Sequence, residues 1–276
     1  FTEDNGIEVH YSVRSAVIDL NGFALIGPGE TGGSGIYADG RTNQLVVRNG
    51  FIRNWSGIGA YGVEADNIKS THVYDVRVQN CENGIKAYRG VVENCEVSDC
   101  TAASANFMGI YGYGLMVVNC LVRNCVAENG YAYGYSVGYG SIVRHCVADS
   151  VSGGSGGYGF QGQNGTIIES CVARKCYNGI YSYDRSVLRN NLAVDNENNG
   201  IVLGYGGGRA EGNNAAYNGF LGLYSSQNSN NVILANSCSM NSNGNYQVVR
   251  GSYGPFTSVT GTTTVVTNHP WANFSY

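Results

Sequence analysis

Along most of the chain, short runs alternate apolar and polar residues, and each run ends at glycine, asparagine or aspartate. Glycine followed by an apolar residue recurs at Gly6-Ile7, Gly35-Ile36, Gly62-Val63, Gly84-Ile85, Gly109-Ile110, Gly134-Tyr135, Gly159-Phe160, Gly179-Ile180, Gly200-Ile201 and Gly222-Leu223, at intervals of 20 to 29 residues. Each unit carries a second β-rich run, such as Val91-Val92-Glu93, Met116-Val117-Val118 or Thr166-Ile167-Ile168. A third stretch aligns between units. Its first column reads Asn21, Asn49, Asp75, Asn94, Asn119, His145, Ser170, Asn190, Asn213 and Asn236, and its second includes Cys95, Cys120, Cys146, Cys171, Asn191 and Asn214.

Units of this size are too short for a helical crossover between parallel strands, and no helical period of useful length occurs. Stacking each unit on the next buries the apolar columns and pairs every strand with the coils above and below. The expected fold is therefore all-β: a single right-handed parallel β-helix of about ten or eleven coils over residues 1–248. Residues 249–276 lack the Gly-Ile signature and are expected to form a C-terminal cap or assembly segment, with Trp271, Phe274 and Tyr276 over the last coil. The first Asn column is expected to form a ladder of side-chain amides along the stack, with His145 substituting for an amide in it.

Composition then removes several partners. Glycine is 41 of 276 residues, about twice the usual share, without the collagen period. Charged residues are 13% and the net charge is −4, with no basic stripe, which argues against a nucleic-acid partner. No run of 18 apolar residues exists to span a membrane as a helix. The chain starts at Phe1 without an initiator methionine, which fits a processed, exported protein.

The phrase Ile18-Asp19-Leu20-Asn21-Gly22-Phe23, together with recurring Gly-Ile and Val-x-x-Asn-Cys-x-Val, resembles the secreted right-handed β-helix repeat proteins of the pectate lyase-like superfamily. The ending Asn268-His269-Pro270-Trp271-Ala272-Asn273-Phe274 is similar to the tail of one branch of them. The resemblance covers nearly the whole chain. It implies an extracellular or cell-surface location, and a superfamily spanning pectate and alginate lyases, polygalacturonases, mannuronan epimerases, phage tailspikes and structural proteins. Fold alone does not choose among these.

There are nine cysteines. Cys95, Cys120, Cys146 and Cys171 share one column, and Cys81, Cys100, Cys125 and Cys176 another. Other coils place Asn, Gly, Ser or Val there, so the columns ask for a small residue rather than a metal ligand or a disulfide.

Strand alternation sets which residues face solvent. The residue after each inward Ile or Val gives the outward column Tyr37, Glu64, Lys86, Tyr111, Ser136, Gln161, Tyr181, Val202, Tyr224. Two places on lies a second column: Asp39, Asp66, Tyr88, Tyr113, Gly138, Gln163, Tyr183, Gly204, Ser226. Tyr37, Tyr88, Tyr111, Tyr113, Tyr181 and Tyr183 are the candidate substrate-binding residues, since amphipathic rings on a rigid sheet can stack on sugars. Asp39, Glu64, Asp66, Lys86 and Arg89 are the candidate catalytic residues. Neighbouring carboxylates serve glycoside hydrolysis or invite a cation such as calcium; alternatively Lys86 and Arg89 neutralise a uronate while Tyr88 or Tyr111 exchanges a proton. Longer units add loops before the next Gly-Ile strand, expected to wall this face with Phe107, Tyr131, Tyr133 and Tyr158. The expected function is binding, or lyase, hydrolase or epimerase action, on an acidic polysaccharide. A different class also fits: a surface protein that self-associates end to end into a filament, driven by an uncovered first coil.

Overall fold

The computed structural model describes residues 5–29, 32–103, 106–226, 230–258, 267 and 269–276. All regular elements among them are strands, and every strand pairing is parallel. The Gly-Ile segments stack into a first face of eleven strands, from Ile7–Val9 through Asn83–Tyr88 and Phe107–Tyr113 to Gly244–Val248. The other two runs of each unit form a second face, in which Val91–Glu93 pairs Met116–Val118, and a third, in which Glu96–Ser98 pairs Leu121–Ala127. The right-handed parallel β-helix expected from the repeat is the fold. Among the described residues no helix is long and apolar enough to cross a membrane.

The register is the one that alternation dictates. Ile36, Val63, Ile85, Ile110, Tyr135, Phe160, Ile180, Ile201 and Leu223 stand in line, one per coil, and none exposes any surface. Tyr135 fits this apolar line because its ring stacks on Phe160 at 4.5 Å and its hydroxyl donates to the carbonyls of Cys120 and Val147. On the second face, Arg144, Glu169, Arg189 and Glu211 alternate in sign along the axis, so an in-register stack pairs opposite charges.

The amide ladder lies one residue away from the column expected to hold it. Asn21, Asn49, Asp75, Asn94, Asn119, His145, Ser170 and Asn190 take left-handed backbone angles with φ between 48° and 57°. They turn the corner between the second and third faces, which explains the choice of Asn and Asp there. Such a corner aims the side chain at solvent, and His145 is exposed. The inward position falls to the next residue. There Asn191 Nδ2 donates to Asn213 Oδ1 at 3.0 Å, Asn213 to Asn236 at 2.9 Å and Asn236 to Asn273 at 3.1 Å. Asn213 and Asn236 therefore belong to the second column; the corner residues before them are Gly212 and Ala235. A parallel ladder runs Asn196, Asn218, Asn241, Asn245.

Both ladders continue the cysteine columns. Cys95, Cys120 and Cys171 place their sulfurs 3.5 to 3.6 Å from the carbonyls of Val73, Val92 and Val143 in the preceding coil, the position where Asn191 Nδ2 donates to the carbonyl of Ile168. All nine cysteines are buried and unpaired.

Beyond Val248 the chain stays on the stack: Gly251–Tyr253 extends the second face and Asn273–Ser275 the third, with Asn273 as the last rung of the first ladder. Phe274 is half-buried, while Trp271 and Tyr276 are exposed. Most of 257–267 lies outside the described residues.

Candidate functional site

The first face carries the outward columns in the expected order, with Tyr37, Glu64, Lys86, Tyr111, Ser136, Gln161, Tyr181, Val202 and Tyr224 in register. Parallel pairing of neighbouring coils therefore brings together residues some 20 to 30 positions apart in sequence. Three regions follow one another along the axis.

The first is a charged cluster. Lys86 Nζ bonds Glu64 Oε1 at 3.2 Å and Asp66 Oδ1 at 3.0 Å, and stands 5.7 Å from the centre of the Tyr61 ring. Glu64 is locked further, because the Ser34 hydroxyl donates to its Oε2 at 2.7 Å while accepting the Tyr61 N–H. Asp66 is the freer carboxylate, with 48% of its side chain exposed against 19% for Glu64. Desolvation pulls the Lys86 ammonium down, but the hydrogen bond to Asp66 and the charge of Glu64 outweigh it, leaving its pKa above the usual lysine value. Asp39 turns aside: its Oδ1 accepts the Arg41 N–H at 3.1 Å and caps its own corner. The two carboxylates thus share one ammonium between them. Among the described residues no three His, Cys, Asp or Glu side chains are grouped to hold a metal ion.

Two clefts flank this cluster. One, of about 380 Å³, is lined by Glu8, Ser34, Tyr37, Ile58 and Glu64 among others. The other, of about 440 Å³, is lined by Asn67, Tyr88, Arg89, Tyr113, Gly114 and Tyr139. Arg89 sits at a left-handed corner (φ 50°), exposed and without an ion pair among the described residues. Burial, followed by the negative charge of Glu64, Asp66, Asp39 and Glu8, raises the pKa of Tyr37.

The second region is aromatic. Tyr88, Tyr111 and Tyr113 meet with ring centres 5.7 to 6.3 Å apart, Tyr139 adds to Tyr113 at 5.5 Å, and the Tyr111 and Tyr113 hydroxyls lie 3.0 Å apart. Burial raises the pKa of Tyr88 and Tyr111, so both phenols keep their protons at neutral pH. Beside a polar saddle of Ser136, Gln161 and Gln163, and starting in the same coils, a third region carries six more rings in sequence. Tyr131, Tyr133, Tyr158, Tyr181, Tyr183 and Tyr205 contact one another in turn at 5.0 to 6.3 Å.

The sequence expectation for the wall needs one correction. Phe107 points inward and is fully buried, because it stands in line with inward Ala132 in the next coil. Tyr131, Tyr133 and Tyr158 do join the face. Alternation missed Tyr139 and Tyr205, which stand at corners beyond the strand. The signal was present, since both directly follow a glycine of the second outward column, Gly138 and Gly204.

No curated protein matches the chain. Among solved structures, the A-module of the mannuronan C-5 epimerase AlgE4 of Azotobacter vinelandii superposes with a TM-score of 0.51 and 15% identity, over 84% of this chain and 70% of that one. The AlgE6 A-module from the same organism gives 0.44 and 12%, over 96% and 91%. The periplasmic alginate epimerase AlgG gives 0.43 and 14%, over 95% and 76%. At these identities the likeness is one of fold. The family described as "Right handed beta helix region" matches residues 61–211, more than half of the chain, and the chain belongs to that family.

Proposed function

We propose that this is an exported protein that binds an acidic polysaccharide along its first face and modifies it at the charged end. The observation that carries the reading is the run of tyrosine rings along one sheet face, beginning at the Glu64–Asp66–Lys86 cluster. Rings half-buried in a rigid sheet offer stacking area at little entropic cost, and their hydroxyls bond sugar hydroxyls. Lys86 and Arg89 are the cations available to a uronate carboxylate at that end.

The chemistry this arrangement supports is proton abstraction beside a carboxylate. With the uronate charge drawn to Lys86 and Arg89, Asp66 takes the proton from C5, and its exposure gives it the access that Glu64 lacks. A protonated phenol, Tyr88 or Tyr111, then either returns a proton to the opposite side of C5, giving the epimer, or protonates the departing 4-oxygen, giving an unsaturated sugar. Glu64 and Ser34 position Lys86.

A polysaccharide panel read by unsaturated-uronate absorbance, by reducing ends and by the proton spectrum of the recovered polymer tests this. Lys86→Ala and Asp66→Asn are each expected to lower turnover by about a hundredfold or more, the range for a charge-stabilising or acid–base group. Turnover unchanged in both variants would move the reactive site elsewhere. No turnover, combined with no retardation in polysaccharide gels, would remove the whole proposal.

A further inference from the structure

We infer that Gly138 and Gly204 are positioning residues that lay tyrosine rings flat on the sheet, forming two beds for the neutral sugars of a sparsely charged heteropolysaccharide. This rests on the reading above and narrows its substrate class.

Both glycines occupy outward positions where side chains would ordinarily stand. A Cβ on Gly138 would lie 2.7 Å from Tyr113 Cδ1 and 2.8 Å from Gln163 Oε1. One on Gly204 would meet the Tyr181 hydroxyl and lie 2.7 Å from its Cζ. Neither glycine has a left-handed φ, so the backbone does not demand glycine there; the close approach of a ring does. Each ring leans along the axis over the glycine of the next coil, Tyr113 with its Cδ1–Cε1 side and Tyr181 with its hydroxyl end. A ring lying down presents the π surface on which the apolar side of a sugar can stack, whereas a ring standing up presents only an edge.

The beds lie three coils apart, on the order of 14 Å. Between them, Ser136 donates to Gln161 Oε1 at 3.0 Å, and Gln163 supplies a second amide. From Tyr111 to Ser226 neither outward column contains a charged residue. The one cation bordering this stretch, Arg185, stands at a corner next to Asp184 in the chain, so the two add no net charge. A polyuronate carries a carboxylate on every sugar and would have to desolvate several of them here without a partner. A chain in which one uronate is followed by neutral sugars fits better: the acid sugar lies at Lys86 and Arg89, and the neutral ones lie on rings and amides.

Gly204→Val separates this from a general role of the face. The added methyls meet the far end of a ring that can swing away, so the fold survives while the bed is lost. Titration calorimetry would compare three sparsely charged polymers (glucuronoxylan, xanthan, gellan) with two polyuronates (polygalacturonate, alginate). At least one sparsely charged polymer is expected to bind about tenfold tighter than either polyuronate, and Gly204→Val and Tyr181→Ala are each expected to cost about tenfold, with unchanged circular dichroism and melting. Tighter binding of a polyuronate would overturn this inference and leave the function proposed above intact. An unchanged affinity in Gly204→Val would overturn the bed itself. Binding of none of the five would remove both.

Discussion

Raising the pH from about 8.5 toward 11 is expected to unfold this protein cooperatively, because its thiols are buried as thiols. Burial pushes Cys81, Cys146, Cys176 and Cys238 up to about 12. Cys95, Cys100 and Cys120 rise as well, first through hydrogen bonds to the next thiol of the column and then through burial. In the unfolded chain each would ionise near the ordinary value of about 8.5. The sign follows from which state holds the proton. The native state keeps it longer, so this stabilisation is complete below about 8.5 and is lost as pH rises through the folded value. Each such thiol removes about 1.4 kcal/mol per pH unit within that window. Several acting together exhaust a stability of ordinary size, about 5–15 kcal/mol, within one or two units. Urea midpoints at pH 7, 8.5 and 10 measure the slope. Cys176→Val should flatten it by about one thiol's share, since Val151 already occupies the same column one coil earlier. A midpoint that holds from pH 8.5 to 10 would contradict the buried-thiol account.

The second large effect is expected at Asn213. Its Oδ1 accepts both N–H and Nδ2 of Asn191, and its Nδ2 donates to Leu188 O and Asn236 Oδ1, all at 2.9 to 3.0 Å and all buried. Asn213→Leu takes the partner from two donors on Asn191 and from the Leu188 carbonyl in a dry core, at about 1–3 kcal/mol each where no relaxation repairs them, while Asn236 Oδ1 keeps only the backbone N–H of residue 213. A loss on the order of 4 kcal/mol is expected by chemical denaturation, with the unfolding slope against urea unchanged. Asn213→Cys should cost roughly half as much. It keeps a donor toward Leu188 O and offers sulfur to the Asn191 N–H, as Cys146 Sγ does to the Cys120 N–H at 3.5 Å. Equal losses in the two variants would mean that the ladder acts through packing alone.

The different outcomes at neighbouring columns show what a single repeat sequence can reveal. The Gly-Ile register was legible because period-two alternation leaves only one way to bury Ile85, Ile110 and Ile180 together. Since the outward columns follow from the inward one, Glu64, Asp66, Lys86 and Tyr88 could be placed side by side without coordinates. The ladder was misread by one residue because Asn serves two purposes at adjacent positions. It tolerates the left-handed corner at Asn190, and it bonds along the stack at Asn191, so identity alone does not tell them apart. Phe107 was misplaced because loop length hid where alternation resumes. The flat rings over Gly138 and Gly204 were beyond the sequence, which shows a missing side chain and not what lies over the gap.

The central claim is that the tyrosine-bearing first face holds a polysaccharide, and affinity electrophoresis tests it most directly. The wild-type chain, a Tyr111→Ala/Tyr113→Ala/Tyr181→Ala variant and a Tyr217→Ala control would be run through gels containing each polymer named above. Tyr217 is a corner residue away from the first face and 61% exposed, so its loss removes an equally accessible ring. The account predicts retardation of the wild type and the control by the same polymer, and free migration of the triple variant with its fold intact by circular dichroism. Equal retardation of all three proteins, or of none, would contradict it.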